Sequence, residues 1–106
     1  MANTFKNYAT AGVGTSPSTI LTATANTTVI GYSIANVTSN TITASVIVTI
    51  SSSDYYLIKD AVVPAGGALI PVGGDQKLVL ETGDAIKVSA NTNASADVIM
   101  SVLEIT

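Results

Sequence analysis

Residues 41–50 read TITASVIVTI, and their alternation restricts the fold more than any other stretch of the chain. Ile42, Ala44, Val46, Val48 and Ile50 recur at every second position. Thr41, Thr43, Ser45 and Thr49 fill the positions between, with Ile47 as the exception. In extended backbone, successive side chains point to opposite faces, so this pattern gives one apolar and one hydroxyl face. Wound as a helix, the same residues would leave apolar groups on every side. The stretch is predicted to be a half-buried strand, with one face on a core and one in water.

Residues 54–88, DYYLIKDAVVPAGGALIPVGGDQKLVLETGDAIKV, extend the same reading. They hold short apolar runs rich in β-branched residues, separated by Pro64-Ala65-Gly66-Gly67, by Gly73-Gly74-Asp75 and by Thr82-Gly83-Asp84. Runs of that length bounded by Gly, Pro and Asp are strands and turns. Residues 18–24 and 27–37 are predicted strands too, the second with Ile30, Tyr32 and Ile34 on one face. Residues 97–105 close the chain, with Val98, Met100 and Val102 on one face and Ile99, Leu103 and Ile105 on the other. A strand apolar on both faces is either central in a sandwich or covered outside by another subunit.

No segment of useful length has helical periodicity. Eight or nine short strands predict an all-β fold, a single β-sandwich of immunoglobulin-like or jelly-roll type with no significant helix. The absence of Cys and Trp argues against a true immunoglobulin domain. Residues 1–18 are expected to be an N-terminal arm or edge segment, and 19–106 the sandwich domain. The expected core is Ile42, Val46, Val48, Leu78, Leu80, Ile86 and Val88. Gly83 is expected in a tight hairpin between a strand ending at Glu81 and one starting at Ala85.

The residues of most chemistries are missing. The chain has no His and no Cys, so neither a His-based nucleophilic triad nor a zinc site can be assembled. Four Lys and no Arg, with a formal net charge of -3, give no phosphate-binding patch, so no nucleic-acid partner is expected. The Gly pairs lack the Lys-Ser/Thr of a phosphate loop and read as turns needing positive φ. Asp75 and Asp84 fall at turns, while Asp54, Asp60, Glu81 and Asp97 are dispersed. No D-x-D-x-D run is present, so turn roles are expected over metal ligation. Tyr55-Tyr56 is weighed as a sugar-stacking platform, but one ring is expected in the core and the other on a neighbouring strand or subunit. No apolar run approaches the ~20 residues of a membrane span, and the N-terminus lacks the apolar stretch of a signal peptide. No enzyme activity, metal, cofactor or membrane partner is expected.

Four stretches carry a resemblance: MANTFKNY, TTVIGYSIAN, the whole of 54–88, and SADVIMSVLEIT. The chain resembles a family of small virion structural proteins of tailed phages, of the cyanophage type. DYYLIKDAVVPAGG and GGDQKLVLETGD are the specific part. The resemblance implies a non-enzymatic virion protein, made in the host cytoplasm and resident in the particle. An accessory capsid decoration (cement) protein is the expected role, a neck, tail or fibre component the alternative, and a carbohydrate-binding module the third reading. Charged residues are only 10% of the chain, against roughly 25% in ordinary domains, so little opposes self-association. The expected partners are therefore copies of itself, as a trimer, and the major capsid or other virion proteins. Phe5, Tyr8, Ile99, Leu103 and Ile105 are the expected assembly contacts.

Overall fold

A computed structural model of the chain describes residues 3–72 and 78–105. Nine strands follow one another: β1 (Asn3–Val13), β2 (Ser18–Thr22), β3 (Asn26–Asn36), β4 (Ile42–Ile50), β5 (Ser53–Val63), β6 (Ala68–Val72), β7 (Leu78–Leu80), β8 (Ala85–Ala90) and β9 (Ala96–Ile105). The described residues contain no helix. One sheet, sheet A, runs β1-β9-β3-β6, with β7 also paired to β3. The other, sheet B, runs β2-β8-β4-β5, and every pairing is antiparallel.

That order identifies the winding. β1 pairs β9, β2 pairs β8, β3 pairs β6 and β7, and β4 pairs β5, as in one long antiparallel ribbon. Rolling the ribbon brings β9 beside β3 and β8 beside β4. This is a jelly roll, and it decides between the two sandwich types left open by the sequence.

The core follows from the alternation. Ile42, Val46, Val48, Leu80, Ile86 and Val88 are buried, as expected, and Leu78 is partly buried against them. Val98, Met100 and Val102 meet them from sheet A. Ile50 lies beyond the core and is exposed, whereas Ile47 is buried on the outer face of sheet B.

Three expectations are corrected. Ile30 does not share a face with Tyr32 and Ile34. The β3–β9 register passes from Val29↔Val102 to Gly31↔Ser101, so Ile30 is the extra residue of a bulge. Neither Tyr55 nor Tyr56 is in the core, since both are 57% exposed on β5, the edge strand of sheet B. Gly83 has the positive φ expected of it, +96°, but not in a hairpin. β7 belongs to sheet A and β8 to sheet B, so its turn carries the chain between sheets. Asp84 closes that turn by accepting the Glu81 N–H at 3.0 Å. The tight hairpin is at Ser51 and Ser52, both at positive φ. The Gly73-Gly74 turn, Asp75 and Lys77 lie outside the described residues.

Asn36 ties the sheets together at one end. Its buried amide donates to the carbonyls of Asn40 (2.7 Å) and Val63 (3.0 Å). Its Oδ1 accepts from the Thr38 N–H at 2.9 Å. One side chain thus satisfies three backbone groups where β3 leaves its sheet for β4.

Candidate functional site

The inward residues of β9 fill the core, so its odd-numbered residues must face outward. The pairings place Phe5, Leu103, Thr28 and Val79 in one row across four strands of sheet A. Ala9, Ile99 and Ser33 form a second row, and Asn3, Ile105 and Asn26 a third. Phe5 is 74% exposed, Val79 63%, Ile99 58% and Ile70 of β6 68%. Beside Gly31, which offers no side chain, Ile30, Ser33, Ile70, Ile99 and Ser101 border a shallow depression of about 360 Å³. A second one, about 280 Å³, lies toward β1 between Phe5, Asn7, Ile30 and Ser101.

This outer face carries almost no charge. Among the described residues only Asp97 lies on it, at one end, where its carboxylate accepts the Gly12 N–H at 3.0 Å. The remaining polar groups are Asn, Ser and Thr. Large exposed apolar side chains therefore dominate a face that carries almost no charge.

The outer face of sheet B differs in kind. Lys87, Ile47 and Tyr56 form a row across it, beside Thr49 and Asp54. The Thr49 hydroxyl donates to Asp54 at 2.6 Å, and Lys87 approaches the same carboxylate at 3.8 Å. The Lys59 ammonium sits 5.3 Å from the centre of the Tyr56 ring. Charges, hydroxyls and one ring share this face with Val62, which pairs with Thr43 and is also exposed.

Of the five expected contacts, Phe5, Ile99, Leu103 and Ile105 lie on the outer face of sheet A. Tyr8 does not. It pairs with Met100 on the inward side, and its hydroxyl donates to Glu104 Oε2 at 2.8 Å. Lys6 reaches Glu104 Oε1 at 3.1 Å. The two donors hold the Glu104 carboxyl below its ordinary range. Burial, and the bond to Glu104, push the Tyr8 phenol up. Phe5 and Tyr8 are three residues apart, which on a strand means opposite faces, so parity alone separates them. The sequence reading also missed Ile30 and Ile70 as face residues.

Among the described residues no three His, Cys, Asp or Glu side chains gather to hold a metal ion. A scan against family models, a search of curated proteins and a search of solved structures each returned no match for the chain.

Proposed function

We propose that this chain is a non-enzymatic accessory structural protein of a phage particle. It self-associates and lies against other virion proteins, as a capsid decoration protein does. The observation that carries the reading is the nearly uncharged outer face of sheet A, on which Phe5, Ile70, Val79 and Ile99 stand exposed. A sandwich already filled by its own core gains nothing from such a face in isolation, whereas an assembly part uses it. The jelly roll fits by analogy alone, since it serves capsid and lectin domains alike. The resemblance of 54–88 to phage virion proteins supplies the particle.

Light scattering and a particle-binding assay test the reading. The wild-type chain is expected to oligomerise at tens of micromolar and to bind particles that lack it. Ile99→Asp puts a charge on the face without entering the core, so binding should weaken at least tenfold while the fold is kept. A strict monomer overturns the self-association, and undiminished binding by Ile99→Asp overturns the docking face. A neck, tail or fibre position is the alternative, and the symmetry seen in a map of the intact particle separates it from a capsid position.

The exposure of Tyr55 and Tyr56 favours one further reading, a carbohydrate-binding module. They are adjacent on one strand and so face opposite ways, and they cannot stack one sugar together. A glycan-binding screen that finds a ligand lost in Tyr56→Ala would replace the assembly reading.

A further inference from the structure

We infer that the free edge of β1 pairs with the same edge of a second copy, joining two sheets A into one. The inference deepens the self-association proposed above and rests on it. It replaces the three-fold ring expected from the sequence by a two-fold pair.

An unpaired strand edge presents a row of N–H and C=O groups, and proteins ordinarily guard such edges with bulges, prolines, short strands or charge. Among the described residues, three of the four edges of this sandwich are guarded. β2 is five residues long, and its register slips between Thr19 and Leu21. Opposite β4, β5 slips twice, and it holds Asp60 at a φ of +52°. The far edge of sheet A is divided between β6, which has a register slip and Pro71, and the three-residue β7.

β1 differs from all of these. From Asn3 to Thr10 it pairs with β9 residue for residue, without a slip, and its bulge comes only after Thr10. The straight part carries one charge, Lys6, the usual guard of an edge. Here Lys6 is neutralised within its own subunit by Glu104, 3.1 Å away.

The sequence of β1 then selects a register. A two-fold axis normal to the sheet pairs residue i with a residue of equal parity, so the axis passes through a residue. Centred on Lys6, it sets two lysines directly opposite, which is destabilising. Centred on Phe5 or Tyr8, it leaves only five paired residues before the strand ends or bulges. Centred on Asn7, it pairs residues 4–10 of both copies. Thr4 meets Thr10, Phe5 meets Ala9, Lys6 meets Tyr8 and Asn7 meets itself. A threonine pair and a lysine beside a tyrosine ring are favourable cross-strand neighbours, and no like charges are opposed. Such a contact is isologous and closes on itself, and the guarded edges prevent it from propagating into a fibre. The product is a single sheet of doubled width whose uncharged outer face continues across the axis.

The chain has no Cys, so introduced thiols report the pairing cleanly. Asn7→Cys places two sulfurs across the axis, with Cβ atoms about 5 Å apart. In Ala9→Cys, on the same exposed face, the two thiols lie about 13 Å apart along the strand. Under mild oxidation, Asn7→Cys is expected to form covalent dimers at least tenfold faster than Ala9→Cys. A mixture of Phe5→Cys and Ala9→Cys is expected to form the mixed dimer in preference to either homodimer. Equal rates for Asn7→Cys and Ala9→Cys overturn the inference. An oligomer by light scattering with no Asn7→Cys cross-link also overturns it, while leaving the proposed self-association intact. A strict monomer removes both.

Discussion

Tyr32 shows how a single atom is set against its surroundings. The ring fills the core between the sheets, but its buried hydroxyl has no hydrogen-bond partner among the described residues. An unsatisfied buried hydroxyl costs about 1–3 kcal/mol. Tyr32→Phe is therefore expected to leave stability unchanged or to raise it, by up to about 1–3 kcal/mol, in a urea melt. A loss above about 0.5 kcal/mol would reveal a partner for the hydroxyl. Burial also holds the Tyr32 phenol far above its ordinary pKa of 10.0. The unfolded chain ionises this phenol as pH passes 10 and the folded chain does not. Stability should thus fall with rising pH there, and less steeply in Tyr32→Phe.

Among the elements, β1 is held to its neighbour through a carboxylate of lowered pKa. Tyr8 and Lys6 both hold it to Glu104 of β9, and together they lower the Glu104 pKa from 4.5. A carboxyl with a lowered folded pKa contributes stability that is full above about 4.5 and lost as pH falls through the lowered value. Below pH 4.5, the β1 amides should exchange hydrogen faster than those of β4, and Glu104→Gln should show a weaker dependence on acid. Identical acid profiles for wild type and Glu104→Gln would mean that this network does not hold the strand. The same scale explains what the sequence could reveal. Alternation was legible in β4, β8 and β9, where pairing runs long enough for parity to persist, and so Ile99, Leu103 and Ile105 were legible as an outer face. It failed at Ile30, because a bulge changes parity there, and its one local signal, Gly31 inside the strand, was not used. It failed at Tyr55 and Tyr56, because only the strand order reveals that β5 is an edge. Ile70 was invisible as a face residue, since it is a single outward side chain on a short strand.

For the whole molecule, the separation of charge from the proposed contact face sets what salt should do to self-association. The formal net charge is -3, and the described charges lie on sheet B, at the turns and along the inward side of β1, with Asp97 alone on the outer face of sheet A. Acidic copies repel at long range, and that repulsion is screened by salt, with a Debye length of about 10 Å at 0.1 M. The proposed contact surfaces contain, among the described residues, no free ion pair for salt to weaken. Self-association measured by sedimentation is therefore expected to hold or strengthen between 0.05 and 0.5 M salt, values chosen to span about a threefold change in Debye length. Dissociation at high salt would mean that ion pairs, rather than an uncharged surface, join the copies.

The bulge at Ile30 has a consequence for how such a surface is gained or lost by descent. Thr27 and Val29 before it face inward, and so do Tyr32, Ile34 and Asn36 after it, although the two groups differ in parity. One supernumerary residue reconciles them, and it occurs where the neighbour of β3 changes from β7 to β6. Loss of a single codon at this point would straighten the ladder and keep every inward side chain inward. The only thing removed would be an isoleucine from the exterior. The apolar character of this outer face is therefore partly a matter of chain length, adjustable by one in-frame step that never touches the interior.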